Sequence, residues 1–421
     1  MRRSRFLPVL VLLALLLLSA GIATVAGRQV TPFLDKQENE AFTLRAKTIG
    51  STLSRNDLFD CSTYVPDTHP LLPIEQQIFH VVRDIKVTPD DGKDYLGAVW
   101  SPSGDAMVFV APTGDHRDIL NSDALPSDED TQLVAISKNE LVLYFPDRNT
   151  WKQITSDGAR PTWSTDARSI YYMAGTDLMK FDISTQAATY TGLRAPNTGV
   201  GLLVSRPLSD GRLLAPRQPH APLEVQGDEM PAWGPIEVAV SDYVLLSPQG
   251  DQIVVAYGAN TWKGQFVPAL TVIYHPNGEV TPLLKNCQAS AIEMVWSPDR
   301  NRVAYPVRAQ RSEIRIYDVR SGQTQVLVRL DTPDLLSGLS WSPDSRYLAF
   351  TLGDDRVTPR SIWLVSTDGT TRQRLMAGGL LPNWSPDGEH ILYARPGTTR
   401  LLDWYLLELS PAIQIEGEQR K

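Results

Sequence analysis

The sequence predicts an all-β fold: a β-propeller of four-stranded blades, preceded by an apolar N-terminal segment and a short helical stalk. Three observations predict it. A Trp-Ser-Pro-Asp motif recurs, as "SWSPDSRYLAFT" from Ser340 to Thr351 and "NWSPDGEHILYA" from Asn383 to Ala394. Its copies lie 43 residues apart from Trp341 to Trp384 and 45 apart from Trp296 to Trp341, a period that fits one blade of four antiparallel strands. Each late copy is followed by a second strand pair around a polar turn, as in "SEIRIYDVRSGQTQVLVRL".

Composition sets the outer bounds. A chain of 421 residues with 42% hydrophobic and 21% charged residues can bury a large core and is not disordered throughout. The net charge of −8 comes without any Lys/Arg-rich block after the first five residues, so no nucleic-acid partner is expected.

Residues 1–27 open with Arg2, Arg3 and Arg5, followed by 22 uncharged residues from Phe6 to Gly27. Basic residues stay on the cytoplasmic side, which places everything after Gly27 outside the cytoplasm. The Leu-rich core and the small residues of "TVA" suit a signal peptide cleaved after Ala26. At ~1.5 Å per residue the same run spans the ~30 Å hydrocarbon layer, so it equally suits a retained transmembrane anchor. Both readings make the protein extracytoplasmic, either secreted or membrane-anchored.

Residues 28–94 read as a stalk. Phe42, Ala46, Ile49 and Leu53 fall at helical spacing between Asp35 and Leu53. "CSTYVPDTHPLLP" is a Pro-rich connector, and "QQIFHVVRDIKVTP" from Gln76 to Pro89 alternates as a strand does. Propellers close by borrowing a strand from the opposite terminus, and only "AIQIEGE" follows the last long strand. Part of Gln77 to Val87 is therefore expected on the last blade.

The propeller itself is read over residues 95–415. Its repeat positions are Trp100, Trp163, Leu246, Trp296, Trp341 and Trp384, and five of the ten tryptophans occupy them. A large flat ring there fills the gap between neighbouring sheets. In Ser-Pro-Asp-Gly, proline presets φ for a reverse turn and glycine supplies the positive φ that completes it. The 83 residues between Trp163 and Leu246 hold a degenerate copy, "LSDGRLLAP". This favours seven blades, with six the alternative. Thr113 to Asp130 and Gln218 to Pro235 read as irregular insertions.

The repeat resembles the TolB-like family of WD-like β-propellers, and related repeats build the propellers of tricorn-type and prolyl-oligopeptidase-type proteases. The resemblance covers about Gly97 to Leu409. It implies the propeller fold and leaves function open, because one fold hosts many functions. Periplasmic members of the TolB type carry an α/β domain ahead of six blades. The shorter segment from Arg28 to Asp94 departs from that plan.

Chemistry-bearing motifs are sparse. No G-x-S-x-G, H-E-x-x-H, C-x-x-C or P-loop sequence occurs. The six histidines, His69, His80, His116, His220, His275 and His390, show no close ligand spacing, and no metal or cofactor is expected. The carboxylates of "PDDGKD" and "PSDED" do not match a calcium loop. Asp166, Asp299, Asp344 and Asp387 sit inside the repeat's turn, where local backbone bonding accounts for them. Cys61 and Cys287, the two cysteines, either pair as a disulfide in an oxidising compartment or remain unrelated thiols.

A non-enzymatic scaffold that binds protein or an envelope polymer through blade loops is the expected function. The membrane is a further partner if the leader is uncleaved. The alternative is a hydrolase or lyase with its active site in the propeller channel.

Overall fold

The structure, a computed structural model, describes residues 74–113, 139–196, 205–216, 223–226, 236, 243–247, 252–257, 270–275, 279–285, 294–308, 312–330, 336–353, 359–397 and 402–412. The chain divides into Met1–Leu58 and Phe59–Lys421, and all described residues belong to the second unit. The leader, its cleavage position Ala26, the Asp35–Leu53 stretch, Cys61 and Cys287 lie outside them. Among the described residues no helix is long and apolar enough to cross a membrane.

Two strands precede the repeats: β1 (Ile74–Glu75) and β2 (Phe79–Lys86). The next seven strands form one continuous sheet: β3 (Gly97–Trp100), β4 (Met107–Pro112), β5 (Asn139–Phe145), β6 (Thr150–Trp163), β7 (Ser169–Ala174), β8 (Asp177–Asp182) and β9 (Ala187–Arg194). The long β6 divides it. Residues from Thr150 to Gly158 pair with β5, and residues from Ala159 to Trp163 pair with β7. The sheet thus serves as two four-stranded groups, the first and second.

The third group holds β10 (Arg206–Pro207), β11 (Leu213–Pro216) and β12 (Leu223–Gln226), with Ile236 bridged to Leu223. The fourth is β13 (Tyr243–Leu246), β14 (Ile253–Tyr257), β15 (Leu270–Tyr274) and β16 (Val280–Lys285). The fifth is β17 (Val295–Trp296), β18 (Arg302–Arg308), β19 (Ser312–Asp318) and β20 (Gln323–Leu330). The sixth is β21 (Leu336–Trp341), β22 (Tyr347–Leu352), β23 (Ser361–Ser366) and β24 (Thr371–Ala377), with β1 parallel on the outer edge of β24. The last is β25 (Leu380–Trp384), β26 (His390–Pro396), β27 (Leu402–Pro411) and, outermost, β2.

The segment read as a stalk therefore contributes to the last sheet: β2 runs antiparallel to β27, from Phe79 opposite Pro411 to Lys86 opposite Tyr405. One reading is corrected. Leu223–Gln226, inside the stretch taken as an irregular insertion, is the strand β12. Leu223 and Val225 are buried while Glu224 and Gln226 are half-buried, a two-residue period too short to stand out among the flanking prolines. The other insertion lies outside the described residues, apart from Thr113.

Among the described residues, apolar clusters fill six of the boundaries between consecutive groups. Trp163 packs with Val108 and Leu141 across the first boundary, and Met173 and Leu178 meet Leu213 and Ala215 across the next. Trp296 joins Val254 and Ile273, Trp341 joins Ile314 and Ile316, and Trp384 joins Ile362 and Leu364. Trp100 packs with Leu392 and Trp404 of the last group. That contact closes the ring.

Candidate functional site

The turns after four of the five repeat tryptophans are built alike, whereas after Trp100 the aspartate stands two places later, as Asp105. Ser164, Ser297, Ser342 and Ser385 each donate the hydroxyl to the aspartate two residues on, at 2.5–2.6 Å. Each hydroxyl oxygen in turn accepts the backbone N–H five residues on, at 2.9–3.0 Å. The same carboxylates, Asp166, Asp299, Asp344 and Asp387, accept the N–H two residues further, from Arg168, Asn301, Arg346 and Glu389. These aspartates serve their own turns. The Ser164 hydroxyl and the Arg168 N–H hold Asp166 below the usual carboxylate range. Burial alone would raise Asp299 and Asp387, but hydrogen bonds from Ser297 and Ser385 and from the backbone outweigh it and leave both lowered.

Neighbouring turns touch. The Asp299 N–H donates to the Ser345 hydroxyl (3.0 Å), and a Cβ on Gly388 would lie 3.2 Å from Pro343 Cγ. Between the sixth and seventh groups the turns stand beside a cleft of about 850 Å³. Its walls include the turn residues Ser342 to Asp344 and Asp387 to Glu389, the end of β27 from Leu409 to Ala412, and the segment Gln76–Phe79. Phe79, Tyr347 and Trp384 supply aromatic surface. The Phe79 ring meets Tyr347 edge-on at 5.5 Å and Trp384 at 5.7 Å.

The segment between β1 and β2 crosses from the sixth group to the seventh and forms one side of this cleft. Gln373, on β24, clamps it. Its Oε1 accepts the N–H groups of Ile78 (2.7 Å) and Phe79 (2.8 Å), and its Nε2 donates to the Phe79 carbonyl (2.7 Å). Further along β2, Asp84 accepts from the Tyr393 hydroxyl (2.8 Å) and from Arg395 (2.6 Å). Burial and the Asp84 carboxylate both push the Tyr393 phenol upward, so it stays a donor. Arg395 also lies over the Tyr405 ring at 4.5 Å.

The repeat positions fall at the inner strands rather than at this cleft, except Trp384, which reaches both. Trp163 donates its indole N–H to Val99 O (3.0 Å), Trp341 to Val295 O (3.1 Å) and Trp100 to Asn383 O (3.3 Å). Each acceptor immediately precedes the repeat tryptophan of the adjacent group. Leu246 ends β13 opposite Ile253, half-buried, with no N–H to offer.

Of the histidines, His80, His275 and His390 are described, and each has a local partner: Gln77, Thr281 and Asp387. Among the described residues no group of three His, Cys, Asp or Glu side chains is placed to hold a metal ion. In "PDDGKD", Asp91 accepts the Lys93 N–H (3.0 Å) and the Tyr95 hydroxyl (2.7 Å), which folds that loop on itself. Sequence reasoning missed Gln373, Phe79 and Tyr347. Phe79 carried a signal in the alternation of "QQIFHVVRDIKV"; Gln373 carried none.

No family model matches the chain, and no curated protein matches it. Solved structures do. An oligogalacturonate lyase in complex with manganese is 12% identical, with TM-score 0.52 over 82% of this chain and 99% of that one. The β-propeller domain of the trilobed protease from Pyrococcus furiosus, described as having an open velcro topology, is 13% identical, with TM-score 0.51 over 77% and 99%. A prolyl endopeptidase is 11% identical, with TM-score 0.50 over 77% of this chain and 50% of that one. At these identities the likeness shows the fold: the chain is a β-propeller.

Proposed function

We propose that the protein is a non-enzymatic binding propeller, held outside the cytoplasm, whose recognition site is the cleft between the sixth and seventh strand groups. The cleft carries this reading. It combines a concave volume of about 850 Å³ with aromatic rings and a rim of carboxylates and amides, the lining that orients a bound partner. Inter-sheet cores behind the turn residues and β27 hold those walls, which limits the entropy lost there on binding. Partner chemistry is a protein segment or an envelope polymer.

Export rests on the basic and apolar N-terminus. Protease added to intact spheroplasts is expected to digest the protein, and full protection would overturn export. The mature mass separates cleavage after Ala26 from retention.

The binding site is tested by placing a photo-crosslinking amino acid at Gln77 or Glu389 in the full chain, in its native cells. Adducts are expected from these two positions and not from Tyr190, which is exposed on β9. Equal or absent adducts at all three would refute the assignment.

A further inference from the structure

We propose that the segment Gln76–Lys86 is a gate for this cleft, peeling from the seventh group while the ring stays closed. The inference rests on the cleft being the binding site, and it adds how that site is controlled. Three observations carry it.

First, the strand is held weakly by burial. Phe79 is half-buried and the other seven residues of β2 are exposed, including Val81, Val82 and Ile85 at 41%, 52% and 44%. Its neighbour β27 is buried along most of its length. A strand with few buried apolar contacts and solvent-exposed hydrogen bonds opens below the cost of global unfolding. The register shift between Val81 and Arg83 interrupts the β2–β27 ladder as well.

Second, ring closure does not depend on β2. Trp100 donates to Asn383 O, Asn383 Nδ2 donates to Ala98 O at 2.9 Å, and Trp100, Met107 and Phe109 pack on Leu392 and Trp404. These contacts join β3 directly to β25 and its sheet. Losing β2 removes an outer strand and leaves them in place.

Third, the segment is a wall of the cleft. Gln76, Gln77, Ile78 and Phe79 line one side and the end of β27 lines another, so separating them widens the opening. Besides the ladder and the Phe79 ring against Tyr347 and Trp384, the side-chain fastenings are polar: the Gln373 clamp, the Asp84 contacts with Tyr393 and Arg395, the Lys86–Asp403 pair at 3.3 Å, and the Arg83–Glu408 ion pair at 2.7 Å with Arg83 65% exposed. Exposed pairs of that kind hold weakly. A ligand seated against Gln76–Phe79 binds the closed form better and shifts the population toward it.

Native-state hydrogen exchange on the full-length protein tests this. Amides of Phe79–Lys86 are expected to exchange at least about tenfold faster than those of Ile391–Ala394 on β26, through an opening that denaturant barely accelerates. Gln373→Ala is expected to speed exchange of Ile78–Lys86 further and leave the β26 amides unchanged. Exchange of β2 and β26 at one common rate with one denaturant dependence in the wild-type protein would overturn the gate, whether or not the variant folds. Crosslinking from Glu389 is independent of that result, so the cleft can stand if the gate falls.

Discussion

Ala167, Arg300 and Ser345 occupy the turn position that glycine fills at Gly388, and they share its left-handed backbone, with φ of 57°, 63° and 59° against 78°. A side chain there costs on the order of 1–2 kcal/mol, offset by the Ser–Asp bonds around it. Ala167→Gly is expected to raise stability in urea by roughly 0.5–1 kcal/mol, since the strain relieved exceeds the cost of glycine's extra chain entropy. Gly388→Ala is expected to lower it by about 1 kcal/mol or more, because its Cβ also crowds Pro343. The tryptophans offer a matched contrast. Trp163 Nε1 has Val99 O as acceptor, whereas Trp384 Nε1 is buried without one. Replacement by Phe should therefore cost about 1 kcal/mol more at Trp163 than at Trp384, measured by the same urea transitions. Acid reports on the turns as well. Asp166, Asp299 and Asp387 are lowered in the folded state, so the stability they add is complete above an unfolded pKa of about 4 and is lost as pH falls through their folded values. Asp182, held by Ser184 and Thr185, is lowered to about 2. Carboxyl NMR titration is expected to find Asp182 ionised at pH 3.

At the scale of elements, the repeat was legible because tryptophan, serine and aspartate recur at blade spacing and each has a local task. The strand β2 left an alternating pattern in "FHVVRDIK", although its partner β27 lies at the other end of the chain. β12 was obscured because four residues carry too short a period between prolines. The cleft was not legible. Ile78 meets Gln373 across 295 positions, and no local pattern marks a glutamine that clamps a distant strand. Deleting Gln76–Pro89 is expected to lower the thermal midpoint, because β27 then shows an unpaired edge. The loss of unfolding free energy should exceed the opening free energy that exchange gives for β2, since the deletion also removes the buried Val87 and Thr88.

For the whole molecule, the tryptophan bonds run in one direction around the ring. They pass from the second group to the first, from the sixth to the fifth, and from the first to the last. The final bond joins the two ends of the repeat array, and beside that join the β1–β2 segment forms a wall of the cleft. Sheets packed around a concave join suit recognition, the role proposed for the protein. The most direct measurement is the mass of the partner captured from Gln77 or Glu389, isolated and incubated at length with the full-length protein. An unchanged mass, with the complex recovered intact, is the expected result. A cleaved or eliminated product, abolished by one substitution facing the channel, would show an enzyme instead.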